Sequence, residues 1–236
     1  MEKIPLYVSL LFGLITFLAV LLFYKASNKS RTTVIILFVL LAVQAAMALS
    51  GFFLATNGVP PRFSLLLLPP VLAIILLFAT KRGRQYIDSF DADRLTLLHT
   101  IRIPVEIGLF VLCSYKVIPQ LMTFEGRNFD ILAGLTAPLI YYFGFVKNKI
   151  SPKLLLAWNF ICLALLTNIV VNAIFAAPFP FQRFAFEQPN IAILYFPYVW
   201  LPGCIVPLVL FSHLATIRQL LKTDYARIPA RPTTIS

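Results

Sequence analysis

Apolar residues run through this chain in unbroken stretches, not in alternation with polar ones. Seven stretches, at about 4–24, 33–55, 63–80, 97–122, 130–146, 153–176 and 191–216, are long enough to cross the ~30 Å of a bilayer's hydrocarbon. In lipid every backbone N–H and C=O must be satisfied within the protein, which leaves helices or closed barrels, and continuous runs exclude the barrel. The pattern predicts an all-α fold: one polytopic transmembrane bundle of seven helices over residues 1–222, then a flexible basic tail, 223–236. The first run lacks a small-residue cleavage site and reads as a retained span.

Composition agrees with lipid as the main solvent. Hydrophobic residues make up 60% of the 236 positions and charged ones 12%, with a mean hydropathy of +0.88, too apolar for a soluble domain of this size. The net charge of +11 would point to nucleic acid in a soluble protein, but here the excess sits in short loops between apolar runs. The expected partners are therefore membrane lipids, including anionic headgroups, and not nucleic acid. Fourteen Lys and Arg residues fall in the loops 25–32, 81–96 and 147–153 and the carboxyl-terminal segment, against four on the other side. By the positive-inside rule the amino terminus is outside and the carboxyl terminus cytoplasmic.

Within the spans, Ala42, Ala46 and Ser50, and again Ala133 and Ala137, recur every four residues and read as seams of close helix packing. Pro69-Pro70 in the third span and Pro197, Pro202 and Pro207 in the seventh remove backbone hydrogen bonds and should bend or open their helices. Cys113, Cys162 and Cys204 have no metal or disulfide spacing and read as small packing residues. Trp158, Tyr195, Tyr198 and Trp200 fit an interfacial belt or bundle packing. The phenylalanine-rich outer segment 177–190 is expected at headgroup level or folded over the bundle mouth.

Chemistry concentrates in Leu97–Met122, where His99, Arg102, Glu106, Cys113 and Gln120 share one helical stripe with Lys116 to its side. Arg102 and Glu106 are four apart and able to pair, with Glu106 about 13 Å from the cytoplasmic end at 1.5 Å per residue. An ionisable pair at that depth marks either a functional site or a structural lock between helices. Asn168 and Asn172, four apart in the sixth span, read as amides that bridge helices or as ligand-binding groups facing Lys116 or Gln120 at similar depth. His99 and His213 fall near the cytoplasmic ends of their spans and are candidate acid/base groups, but no set of three ligands converges on them, so no metal is expected. Asn128 and Asp130 read as a helix cap.

The segments HTIRIPVEIGL, NFDILAGLTAPLIYYF and NIAILYFPYVWLPGCIVPLVLFSHLATIRQL resemble a group of bacterial, Bacteroidota-type inner-membrane proteins with seven helices and no assigned activity. The resemblance implies a bacterial inner-membrane location and supplies no catalytic residue. Pro119-Gln120 is similar to the proline-glutamine loops of small seven-helix carriers but occurs once, and no lysine for a retinal lies between 191 and 216. No cofactor is expected. The leading expectation is a polar intramembrane cavity binding or transporting a small solute or lipid-like molecule, with Arg102 on an anionic group and Glu106 exchanging a proton. The other readings are a membrane-embedded lipid enzyme using His99 and His213, and a structural or sensory subunit whose tail meets a partner.

Overall fold

The computed structural model describes residues 4–58 and 60–222, so the tail at 223–236 lies outside the described residues. Helices α1 (Leu6–Ala26), α2 (Arg31–Leu49), α3 (Ser64–Ala79), α4 (Lys81–Asp88), α5 (Ala92–Leu98), α6 (Arg102–Ser114), α7 (Ile131–Ile140), α8 (Pro152–Ala176) and α9 (Val206–Lys222) follow in order, and among the described residues there is no strand. A 3₁₀ turn, His99–Ile101, joins α5 to α6; π-helical turns continue α7 to Val146 and lead into α9 from Leu201. Five helical stretches are long and apolar enough to cross a membrane: Leu6–Ala26, Arg31–Leu49, Ala92–Ser114, Pro152–Ala176 and Leu201–Lys222. The other two sequence-predicted spans are a helix that bends by 97° into α4 and a shorter apolar helix, Ile131–Val146.

Burial sorts these helices into an inner and an outer set. The α5–α6 unit and the α9 stretch are the most enclosed, and α1 packs along α5 and α6, whereas α2 and α8 turn most of their surface outward. The outward faces carry leucine, isoleucine, valine and phenylalanine, such as Leu10, Ile35, Leu76 and Ile161. A surface of that kind is at home in hydrocarbon.

The central span starts and ends earlier than expected, at Ala92 and Ser114 in place of 97 and 122. Its end is a Schellman turn: the Lys116 N–H bonds Cys113 O at 2.9 Å and the Val117 N–H bonds Leu112 O at 3.3 Å, with Lys116 at φ +59°. That left-handed position usually holds glycine, so a lysine there gave no stop signal in the sequence. The seventh span is displaced the other way. Residues 192–194 form a 3₁₀ turn, and the helix runs from Leu201 to Lys222. The sharp bend after α3 is built by Thr80, whose hydroxyl caps the Gly83 N–H at 3.1 Å, and by Gly83, where a Cβ would stand 2.3 Å from Leu77 O.

One packing expectation is corrected. Ala42, Ala46 and Ser50 face outward, and the buried edge of α2 is Leu37, Leu41, Gln44 and Ala48. Gln44 sets this rotation: its amide donates to Gly203 O at 3.0 Å, a bond hydrocarbon could not supply. The other small-residue pair does face inward, with Ala133 and Ala137 buried. Trp158 and Trp200 serve packing, their indole N–H groups donating to Thr136 Oγ1 at 2.9 Å and Leu41 O at 3.1 Å.

At the α4 end the bundle is tied by polar contacts. Arg218 makes two bonds to the Asp88 carboxylate, at 2.9 and 3.1 Å, and Lys222 adds a third at 2.6 Å. Arg94 donates to Lys25 O and Gln219 to Ile87 O and Phe90 O. Partial burial alone would raise the Asp88 pKa, but the bonds and charges of Arg218 and Lys222 outweigh it and hold the group below its ordinary value.

Two outcomes should follow. Because the folded pKa of Asp88 lies below its unfolded value of about 3.9, the clamp stabilises the fold above that pH and the gain disappears as pH falls through the folded value. The melting-temperature gap between wild type and Asp88→Asn in detergent should therefore be largest near neutrality and close at acid pH; a constant gap would remove the carboxylate from the clamp. Separately, Ala137→Leu should cost about 1–3 kcal/mol by overpacking, while Ala46→Leu should leave the melting temperature unchanged.

Candidate functional site: a buried polar core beside a cavity

The loop after α6 folds back into the bundle. From Gln120 to Asp130 it returns two polar side chains to the level of the first two turns of α6. Asn128 is fully buried; its amide nitrogen lies 2.7 and 2.6 Å from the two Glu106 oxygens and 3.0 Å from Met122 O, and its own oxygen accepts the Asp130 N–H at 3.0 Å. Asp130 stands at the head of α7 but makes no side-chain cap; its carboxylate turns to Arg102, Oδ2 to Nε at 3.2 Å, both side chains almost wholly buried. The expected cap is thus a pair of site residues. The charge on Arg102 explains the change: a buried guanidinium needs an anion more than four exposed-end N–H groups need a side-chain acceptor.

The expected Arg102–Glu106 pair is replaced by this arrangement. Among the described residues, Asp130 is the carboxylate within 4 Å of Arg102, and Glu106 is held by Asn128. Apart from the Asp130 contact, Arg102 is poorly served: none of its three guanidinium nitrogens makes a well-angled hydrogen bond within the protein, and Asp130 Oδ1 makes none either. Buried polar atoms are nearly always bonded, so such a group of open donors and acceptors is the mark of a place that takes water or a polar ligand.

One turn toward the α4 end, His99 and His213 meet. Their rings stack with centroids 3.8 Å apart and planes 14° from parallel, and Trp158 closes the edge of both. His213 Nδ1 donates to Asn159 Oδ1 at 2.9 Å, because the Asn159 amide nitrogen is committed to Leu155 O; this leaves His213 Nε2 and both His99 nitrogens without a protein partner. Stacked rings hold their in-plane lone pairs side by side, so the pair does not converge on one metal, and among the described residues no three His, Cys, Asp or Glu side chains group as ligands.

A cavity of about 80 Å³ opens against this core. Leu67 of α3, Leu109 of α6, Leu166 and Ile169 of α8, Ile193 and Leu201 supply apolar walls, and Glu106 and Asp130 border one side with their carboxylate oxygens enclosed. The space is several times the ~10–15 Å³ that one water requires.

Of the residues singled out from the sequence, Glu106 reaches this cavity. Arg102 stands behind Asp130, and His99 and His213 are fully buried and do not line it. Lys116 and Gln120 lie past the end of α6 and are exposed. Asn168 is exposed and donates to Arg127 O at 2.8 Å; Asn172 is buried and bonds back to Asn168, so the two amides brace α8 against the returning loop. Sequence reasoning missed Asp130, Asn128 and Asn159 as members of the core. The signal was the rarity of carboxylates: the chain holds 9 Asp and Glu residues against 20 Lys and Arg, so an Asp entering an apolar run was the natural partner for a buried arginine.

The fold and core define an all-helical bundle with spans suited to a membrane and a charged pair at its centre. By family, residues 61–221 match the model for a domain of unknown function, DUF8737, and the chain belongs to that family. No curated protein and no solved structure matches the chain.

The ion pair yields a sharp contrast. Asp130→Asn strips the buried guanidinium of its anion and should destabilise the protein by about 3–5 kcal/mol. Glu106→Gln keeps a hydrogen-bonding partner for Asn128 and should cost only about 1 kcal/mol. Unfolding titrations of both variants in the same detergent check the order, and equal losses would mean that Arg102 leans on both carboxylates alike.

Proposed function

We propose that the protein is a seven-span bacterial inner-membrane protein that binds or carries a small amphiphile in the cavity at Glu106. The five long helices, the bent helix α3 and the Ile131–Val146 helix make up the seven spans, alternating in direction along the chain. The basic loops at 25–32, 81–96 and 147–153 then share one face, cytoplasmic by the positive-inside rule, with the amino terminus outside. Contacts support the alternation: Asp91 bonds Ala26 and Asp88 bonds Arg218 at one end, while Ile191 bonds Val117 at the other.

The observation that carries the functional reading is an apolar cavity bordered on one side by the enclosed Glu106 and Asp130 carboxylates, which a polar ligand group would reach by a small shift of the wall. The walls suit a hydrocarbon body. The carboxylates accept hydrogen bonds or attract a cation, so the polar end of the ligand is a hydroxyl or an amine and not an anion. Arg102 orients Asp130 from behind. His99 and His213, enclosed and away from the cavity, act as a polar rib of the core in this reading.

Purified protein in a neutral detergent provides the test. Medium-chain primary amines and alcohols should raise its melting temperature, and carboxylic acids of the same chain length should not. Glu106→Gln should weaken the amine about tenfold, ~1.4 kcal/mol, while leaving the fold intact. Stabilisation by the acids, or an unchanged amine response in the variant, would overturn the assignment.

A further inference from the structure

A second and larger hollow lies on the outside of the bundle. Helices α2 and α3 each rest on the last helical stretch, and the space between them forms a groove of about 640 Å³, within the ~300–1,000 Å³ usual for ligand sites. Its two walls are helical stripes in register: Thr33, Ile36, Leu37 and Leu40 on α2, and Pro70, Ala73, Ile74 and Leu77 on α3, both at spacings of three and four. Cys204, Pro207, Leu208 and Phe211 form the floor.

The dimensions and the ends of the groove identify the occupant. From Ser30 to Leu40 it runs ten residues of α2, about 15 Å at 1.5 Å per residue, which is half of the ~30 Å hydrocarbon layer and so the depth of one leaflet. At its α4 end the lining turns polar, with Ser30, Thr32, Thr80 and the bonded hydroxyls of Thr33 and Tyr86. Arg31, Lys81 and Arg82 stand exposed beside those residues, and none has a carboxylate within 4 Å among the described residues. Arg84 is different: its guanidinium is occupied by Phe78 O and Ala79 O. Asp88 is taken by Arg218 and Lys222, so the nearby acid does not neutralise the three free cations.

We infer that this groove is a binding site for an anionic phospholipid, one acyl chain lying between α2 and α3 and the headgroup phosphate set among Arg31, Lys81 and Arg82. The chain matches an apolar slot one leaflet deep, and the headgroup meets cations at the height where the slot ends. The site rests on α2 and α3 standing in a bilayer and on nothing at the Glu106 cavity. Zwitterionic lipid would fill the same slot but gain less from the cations.

Native mass spectrometry of the full chain, delipidated in a neutral detergent and titrated with phosphatidylglycerol, phosphatidylcholine of the same chains, or glycerol phosphate, decides the matter. Phosphatidylglycerol should bind tightest, at one site, and glycerol phosphate should not compete with it. Ala73→Trp fills the groove from α3 and should weaken phosphatidylglycerol about tenfold. Should that variant fail to fold, Leu40→Trp makes the same obstruction from α2, and the lipid comparison on the unaltered protein stands regardless. Replacing Arg31, Lys81 and Arg82 together by glutamine should abolish the preference for phosphatidylglycerol while retaining chain binding. Equal binding of the two lipids, competition by glycerol phosphate, or undiminished binding to the filled groove would overturn the site. Glu106→Gln should leave all these results unchanged, which separates this site from the cavity.

Discussion

The Arg102–Asp130 ion pair is the constraint around which the interior is arranged. A guanidinium in an apolar bundle costs several kcal/mol unless an anion stands against it, and Asp130 reaches it only because the loop after α6 returns into the bundle. That return requires α6 to stop at Ser114, short of the outer end of the predicted span. It brings Asn128 to Glu106, and it places the start of α7 against the first turn of α6, where Gly134 and Ala137 permit close approach. The same charge thus fixes where one helix ends and where the next begins.

How much of this was legible in the sequence depends on which residues carried the information. Apolar run length found the helices, because lipid admits little else, and α8 came out within a residue of its predicted limits. Helix ends were harder: α6 stops at a Schellman turn whose left-handed residue is Lys116, where glycine would have announced the stop. Helix rotation was hidden in α2, since alanines pack as well against lipid as against a neighbour, and the choice fell to Gln44, whose amide had to find Gly203. The pairing of charges was misassigned for a physical reason too. Spacing of four on one helix makes Arg102 and Glu106 neighbours, but a tertiary partner, Asp130, was a nearer fit, and periodicity along one helix contains nothing about what another segment brings to it.

The histidine stack shows that two residues far apart in sequence meet when both are pressed to the same level. Both spans place their histidine near the α4 end, and α8 closes the ring with Trp158 and Asn159. Two imidazoles in face-to-face contact are compatible with a neutral pair and unfavourable for two cations, since like charges at under 4 Å in a poorly screened interior repel strongly. Both rings lie inside the bundle, with no exposed surface.

The charges nearest the cavity differ in sign from the arginine on which the sequence reading centred. A chain with +11 net charge and an arginine at mid-depth invites an anionic ligand, but the arginine is screened from the open space by the carboxylate that neutralises it. Behind the apolar wall of the cavity stand Asp130, with one enclosed oxygen free of protein hydrogen bonds, and Glu106, held in place by a neutral amide donor. Under the proposed reading, a carboxylate ligand there would lose its hydration beside two carboxylate side chains, whereas an amine or hydroxyl would have acceptors close behind the wall. The excess positive charge of the chain lies instead in the loops, so under the two proposals the hollows would differ in the sign of what they accept: donors inside, anions at the rim.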